Sequence, residues 1–252
     1  MEYIASPKNE HIKAAKKLTV KKYQKQGDAY LLEGWHLVEE ALKADQQPRR
    51  IYATNKFLEE RALRPYYEQI TEISPEVAKH LSETPTPQGI FAVMPRVLGT
   101  LPEKAAGAYL LLDGIQDPGN VGTLVRTADA AGIQQVVFGE GTADAFNPKV
   151  LRAMQGSQFH VNITTTALGP VVAQLQAANV PVYGTELNVN AKSYREIQPT
   201  AHFGLIVGNE GNGMSTALLE RTDVNLYIPI RGDAESLNVA IAAAVVMFHL
   251  TA

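Results

Sequence analysis

Tyr109-Leu110-Leu111-Leu112-Asp113-Gly114-Ile115-Gln116-Asp117-Pro118-Gly119-Asn120-Val121-Gly122 runs from an apolar stretch, through a junction rich in Gly and Pro, into a segment of helical periodicity. A short apolar run bounded by turn residues reads as a strand buried on both faces. The following Val121–Ala131 reads as a helix, with Gly132 fitting the residue just past its end. The pattern recurs downstream. Strands are expected at Tyr109–Asp113, Gln135–Phe138, Val161–Thr166, Val180–Thr185, Phe203–Val207 and Val224–Pro229. Helices are expected at Pro148–Gln155, Gly169–Asn179, Ser215–Arg221 and Ser236–His249. Strand–helix alternation with apolar strands predicts an α/β fold whose parallel sheet is covered on both faces.

Working towards the N-terminus, Pro95–Gly107 carries two prolines and two glycines and reads as a linker. Before it, a smaller α/β unit is expected. Its strands are Tyr30–Gly34, Arg50–Thr54 and Ile90–Val93, and its helices are Ile12–Leu18, Trp35–Lys43, Glu59–Tyr67 and Pro75–Leu81. Ser74-Pro75 has the form of an N-cap followed by proline at the first helical position. The expected organisation is therefore residues 1–96, a linker at 97–107, and a larger domain at 108–252.

The composition narrows the chemistry. The chain has 252 residues, 45% of them hydrophobic and 19% charged, enough to build a core. It has no cysteine, which removes disulfide scaffolds, zinc-thiolate sites and cysteine nucleophiles. The longest apolar run, Val239–Phe248, is about half of a ~20-residue membrane span. No secretory signal pattern opens the chain, so a cytoplasmic protein without membrane association is expected. The net charge of −3 hides an asymmetry. Residues 1–100 hold 15 basic and 13 acidic residues; the remainder holds 8 and 13. Lys8, Lys13, Lys16, Lys17, Lys21, Lys22 and Lys25 face one acid, Glu10. Such clustering suits a polyanion, because phosphates neutralised by Lys release counterions; a solvated helix face is the plainer alternative.

Open α/β sheets bind ligands outside the carboxyl ends of their strands. Three expected junctions there are rich in Gly and Asn: 113–132, 206–214 and 228–240. Taken singly, each has an ordinary structural explanation. Asn120 or Ser236 could be an N-cap, Asn212-Gly213 a turn, and Arg126 a surface residue. No P-loop G-x-x-x-x-G-K-[ST] and no G-x-G-x-x-G occurs at these junctions, so common phosphate and dinucleotide sites do not fit.

Together, Asn120-Val121-Gly122-x-x-x-Arg126-Thr127-Ala128, Ile206-Val207-Gly208-Asn209-Glu210-Gly211-x-Gly213 and Ile228-Pro229-Ile230-x-Gly232-x-x-Glu235-Ser236-Leu237-Asn238-Val239-Ala240 resemble, in order and spacing, the SpoU or TrmH-like branch of the SPOUT RNA methyltransferases. In the first half, Ile4-x-Ser6-x-x-Asn9, Lys21-Lys22 and Leu32-Glu33-Gly34-x-His36-Leu37-Val38 resemble that family's substrate-binding domain, itself similar to small ribosomal RNA-binding proteins. The resemblance implies transfer of a methyl group from S-adenosylmethionine to a ribose 2′-hydroxyl of ribosomal or transfer RNA, ribosomal RNA being favoured. It also implies a homodimer and a trefoil knot near the C-terminus, which chain-connection rules alone make improbable. One departure is visible: Asn147-Pro148-Lys149-x-x-Arg152-Ala153-Met154-x-Gly156 has Met154 where the family usually has Ser.

By that resemblance, the cofactor-binding residues are Gly208, Asn209, Gly211, Ile228, Ile230, Ser236, Leu237 and Asn238, with no metal. Small residues allow close backbone approach, and Ile228 and Leu237 supply apolar walls. The catalytic set is Asn120, Arg126, Glu210 and Asn238. Arginine stays protonated, so Arg126 suits a phosphate contact and stabilisation of developing alkoxide charge better than proton abstraction. Lys13, Lys17, Lys21, Lys22 and Arg126 are the expected RNA contacts. The alternative from another class is a non-catalytic RNA-binding or ribosome-assembly protein retaining the knotted fold; the intact polar set disfavours it.

Overall fold

The computed structural model describes all residues except Lys25 and Gln26, and the side chains of Lys21 and Gln24 are likewise outside the description. In the first part of the chain the elements are β1 (Glu2–Ile4), α1 (Glu10–Lys17), α2 (Lys21–Gln24), β2 (Ala29–Glu33), α3 (Trp35–Lys43), β3 (Arg50–Ala53), β4 (Ile70–Ile73), α4 (Pro75–Leu81) and β5 (Ile90–Pro95). There follow β6 (Ala108–Asp113), α5 (Pro118–Ala130), β7 (Gln135–Phe138), α6 (Pro148–Met154), β8 (Asn162–Thr165), α7 (Leu168–Ala177) and β9 (Val182–Thr185). The last elements are β10 (Lys192–Ser193), β11 (Phe203–Gly208), α8 (Thr216–Leu219), β12 (Val224–Tyr227) and α9 (Val239–Leu250). They divide into two compact units, Met1–Val97 with Phe146–Phe159, and Leu98–Ala145 with His160–Ala252.

The first unit holds a five-stranded mixed sheet in the order β1-β4-β3-β5-β2. Its core gathers Ile12, Tyr52, Ile73, Val77, Leu81 and Phe91. Each such side chain contributes roughly 1.5–3 kcal/mol on burial. α1 turns Ile12 and Ala15 inward, which leaves Lys13 and Lys17 on the exposed face. At α4, Ser74 accepts a hydrogen bond from the Val77 N–H (3.2 Å), the expected cap.

Two strands, β1 and β4, were not legible as strands in the sequence; they pair in parallel with each other, an arrangement no local pattern reveals. The helix expected at Glu59–Tyr67 is instead a 3₁₀ run at Arg61–Gln69. Pro65 within it lacks the N–H that an α-helix needs, and Tyr66 leaves the helical backbone region.

Phe146–Phe159 lies inside the second half in sequence but packs in the first unit. The Phe146 ring lies 4.7 Å from that of Tyr30, and the Arg96 guanidinium lies 4.7 Å from the Phe146 ring. Met154 is fully buried. Its thioether therefore fills core space.

The second unit holds seven strands, all parallel, in the order β10-β12-β9-β11-β6-β7-β8. Leu111, Val137, Leu168, Val172, Leu175 and Ile206 form part of its core. The last helix starts at Val239, not Ser236, because Asn238 caps it by accepting from the N–H groups of Ala240 and Ile241. Ala240, Ala243, Val246, Met247 and Leu250 are buried, but Ile241 and Phe248 are about half exposed at 53% and 51%. Among the described residues no helix is long and apolar enough to cross a membrane.

Candidate functional site

The carboxyl ends of β6, β9, β11 and β12 lie side by side in the second unit, and the glycine-bearing junctions follow three of them. After β11 the chain makes a tight loop. Asn209 and Gly213 exchange two backbone hydrogen bonds of 2.9 Å. The Asn209 amide donates to the Gly114 carbonyl (2.8 Å), while its oxygen accepts from the N–H groups of Gly211 and Asn212. Gly208 is buried, and a Cβ there would lie 2.3 Å from the Met214 nitrogen and 2.4 Å from the Gly213 carbonyl carbon. Its lack of a side chain is what lets this loop close.

The loop carries Glu210 to the start of α5. Asp117, not Asn120, caps that helix, accepting from the Asn120 N–H (2.9 Å). The Asn120 side chain is thus left for another task. Its Nδ2 donates to Glu210 Oε1 (2.9 Å), and its Oδ1 accepts from Asn238 Nδ2 (2.9 Å). Glu210 also accepts from the backbone N–H groups of Gln116 and Asp117, both at 3.1 Å. Partial burial pushes the Glu210 carboxyl up. Hydrogen bonds from Asn120 and from the backbone of Gln116, Glu210 and Asp117 outweigh it and hold the group below the usual carboxylate range. Glu210 is therefore a fixed anion that orients Asn120, poorly suited to taking up a proton at neutral pH.

Three of the four expected catalytic residues, Asn120, Glu210 and Asn238, form this connected network. Arg126 is not part of it. It lies on α5 about 120° round the helix from Asn120, exposed, and makes no hydrogen bond or ion pair with a described residue. Its charge is available to an incoming anion.

Beside the network is a cleft of ≈590 Å3, within the ~300–1,000 Å3 range of small-molecule sites. Of the residues expected to bind cofactor, Ile228, Ile230, Ser236 and Leu237 line it. Ile230 and Leu237 are 41% and 40% exposed, so apolar wall area there is uncovered. A Cβ at Gly232 would meet nothing within 4 Å, so the wall is open at that point. Gly208, Asn209 and Gly211 build the neighbouring loop and do not line the cleft; Asn238 caps α9 and joins Asn120.

Thr185, Glu186 and Leu187 at the end of β9 also line the cleft, and sequence reasoning missed them. Their only signal was a strand end, and strand order is what brings β9 between β11 and β12. Glu186 is the cleft's acidic group from that strand end, and its Oε2 lies where a Cβ on Gly213 would come within 3.0 Å. Among the described residues, no group of three or more His, Cys, Asp or Glu side chains could hold a metal ion.

In the first unit, the expected RNA lysines divide by their partners. Lys13 pairs with Glu10 at 2.7 Å. Lys16 is a fastening residue: its Nζ lies 2.5 Å from Glu83 and also donates to the Leu81 and Ser82 carbonyls at the end of α4. Lys17 and Lys22 each place Nζ 5.7 Å from the Tyr23 ring centroid. The side chain of Lys21 and all of Lys25 fall outside the described residues.

Residues 107–248 match the SpoU rRNA Methylase family, and residues 9–92 match the MRM3-like substrate binding domain. The 23S rRNA (guanosine(2553)-2′-O)-methyltransferase RlmP of Bacillus subtilis (strain 168) is 48% identical over 254 residues, spanning 99% of each chain. Among solved structures, the AdoMet-bound rRNA methyltransferase from Sinorhizobium meliloti is similar with a TM-score of 0.89 at 27% identity, covering 99% of this chain and 97% of that one. An RNA 2′-O ribose methyltransferase is similar with a TM-score of 0.82 at 28% identity, covering 98% and 97%.

Proposed function

Because the chain belongs to the SpoU rRNA methylase family, we propose that it methylates the ribose 2′-hydroxyl of one guanosine in 23S ribosomal RNA, the position equivalent to the one named for the Bacillus subtilis relative. The enzyme class is an S-adenosylmethionine-dependent RNA methyltransferase. The observation that carries the reading is the Asn120–Glu210–Asn238 network standing beside the ≈590 Å3 cleft.

The cleft fits S-adenosylmethionine. Leu187, Ile228, Ile230 and Leu237 offer apolar surface to its adenosine, Ser236 a hydroxyl, and Glu186 a carboxylate to its positive charge. When bound, the cofactor supplies the methyl group. The protein's own task is orientation and charge. Glu210 and Asn238 clamp the two ends of the Asn120 amide, which fixes that amide in one orientation. Arg126 binds the RNA phosphate next to the acceptor and stabilises the alkoxide charge that develops as the hydroxyl loses its proton to solvent water. Positioning of this kind supplies several kcal/mol, up to ~7–11 in favourable cases.

The reading includes a homodimer, a trefoil knot near the C-terminus, no metal, a two-domain division at 1–96 and 108–252, and a cytoplasmic location with the ribosomal RNA. The support for a dimer is the outer face of α9. Ile241, Ala244, Val245 and Phe248 follow a helical stripe, and its two large end members are half exposed. Phe248→Glu would then shift the sedimenting species from dimer to monomer; a wild-type monomer that is fully active would reject this part.

The deciding experiment incubates the protein, labelled S-adenosylmethionine and a chelator with an unmodified 23S ribosomal RNA transcript. One 2′-O-methylated guanosine is expected on mapping. Binding of both ligands without transfer to any ribosomal or transfer RNA would mean a non-catalytic RNA-binding protein.

A further inference from the structure

A second cavity, of ≈280 Å3, lies wholly within the first unit and is lined in part by Glu33, His36, Thr84, Thr86, Gln88 and Arg152. We infer that it holds one nucleotide of the RNA substrate, with Arg152 on a phosphate, so that α6 lends the first unit a substrate contact. The inference rests on the RNA-methyltransferase reading above.

The cavity walls are held by specific bonds. Glu33 accepts from the Ser82 hydroxyl, the Thr84 hydroxyl (2.9 Å) and the Glu83 N–H (3.0 Å). Gln88 Oε1 accepts from the Trp35 N–H (2.7 Å). The opposite wall comes from the end of α6, where Gln155 and Gly156 both take positive φ, 54° and 99°. A Cβ on Gly156 would lie 2.9 Å from Glu40 Cγ, so this turn is seated closely on α3. The turn also brings the Gln155 carbonyl to 3.0 Å from His36 Nε2. A carbonyl only accepts, so Nε2 carries the proton there and Nδ1 of the neutral ring is an acceptor. An acceptor suits a ribose 2′-hydroxyl, the group that marks RNA.

The charge balance selects the ligand. The Glu33 carboxylate is occupied by three donors and is not an ion-pair partner of Arg152. Arg152 is half-buried, and its guanidinium makes no hydrogen bond or ion pair with a described residue. Glu83 feels its charge, but the Glu83 carboxylate lies 2.5 Å from Lys16 Nζ. The cavity thus combines an unmatched planar cation with amide and hydroxyl groups, a set that fits a phosphate and an adjoining sugar or base edge. At just under the ~300 Å3 where ligand clefts begin, it suits one splayed-out nucleotide, the form in which RNA is read specifically.

The test measures binding of an unmodified 23S ribosomal RNA transcript across a salt series. Arg152→Ala should weaken binding about tenfold or more. It should lower the salt slope by roughly 0.7–0.9, with cofactor affinity and melting temperature unchanged. Arg152→Lys should restore the slope. Unchanged affinity and slope overturn the proposal, and so does a loss of affinity without a change in slope that Lys fails to restore. Should Arg152→Ala unfold the protein, Thr86→Trp decides, since it obstructs the cavity and keeps the arginine: weaker binding supports the proposal, and unchanged binding overturns it. Failure of the unmodified protein to methylate the transcript would instead refute the reading of the preceding subsection.

Discussion

Replacing Gly208 by Ala tests whether this glycine closes the loop that carries Glu210. The new Cβ would stand 2.3 Å from the Met214 nitrogen, 2.4 Å from the Gly213 carbonyl carbon and 2.7 Å from the Gly213 oxygen, where ordinary contact begins near 3.4 Å. All three atoms are backbone, so no side-chain rotation relieves the overlap. The loop has to move by about 1 Å, and overpacking of this kind costs ~1–3 kcal/mol. The movement opposes the paired Asn209–Gly213 hydrogen bonds of 2.9 Å. Losing both adds about 1–3 kcal/mol. A total of about 2–6 kcal/mol would lower the melting temperature of the second unit by roughly 4–24 °C. Glu210 sits two residues beyond Gly208, and displacing it by about 1 Å should slow methyl transfer by about 100-fold. Differential scanning calorimetry and single-turnover transfer at saturating cofactor and RNA read the two effects. If stability and the single-turnover rate stay at wild-type values, the loop-closure argument is wrong. If only cofactor affinity falls, Gly208 is a cofactor contact and not a packing requirement.

Glu210→Gln keeps the shape but leaves one wall of donors facing an NH2 group. At neutral pH it should cost about 1–2 kcal/mol, after allowance for solvent screening of an exposed carboxylate. The folded carboxyl is held low, so its stabilisation is present above the unfolded value of about 4.3 and disappears as pH falls through the folded value. The stability difference between the two proteins should therefore shrink below about pH 4; a pH-independent difference would contradict the hydrogen-bond account. Arg126→Ala should bind cofactor normally and reduce single-turnover transfer at saturating RNA by ~100-fold or more. A wild-type rate there would make Arg126 an RNA anchor only. Changing Lys17 and Lys22 to Ala should lower the salt slope of RNA binding by roughly one unit for each phosphate no longer neutralised, leaving cofactor affinity alone. Lys16→Ala should instead destabilise the first unit, because that lysine is engaged with Glu83 and the end of α4; a purely electrostatic effect on RNA binding would overturn this division.

Local chemistry was written in the sequence. The limits of α3 and α4, the Ser74 cap, the alternation that makes a parallel sheet and the three glycine-bearing junctions all depend on residues a few positions apart. Periodicity records which side chains avoid water, but not which distant surface covers them. Tertiary structure therefore decided the rest. Only strand order places Thr185, Glu186 and Leu187 on the cleft, by setting β9 between β11 and β12. Only packing carries Phe146–Phe159 back to the first unit, where Met154 fills the core and Arg152 reaches a cavity. The same distinction explains Asn120: its helical position is local, but its use depends on Glu210 and Asn238, which lie 90 and 118 residues away. Gly208 reads locally only as a small residue that permits close approach; that Gly213 and Met214 of its own loop approach it is set by the fold.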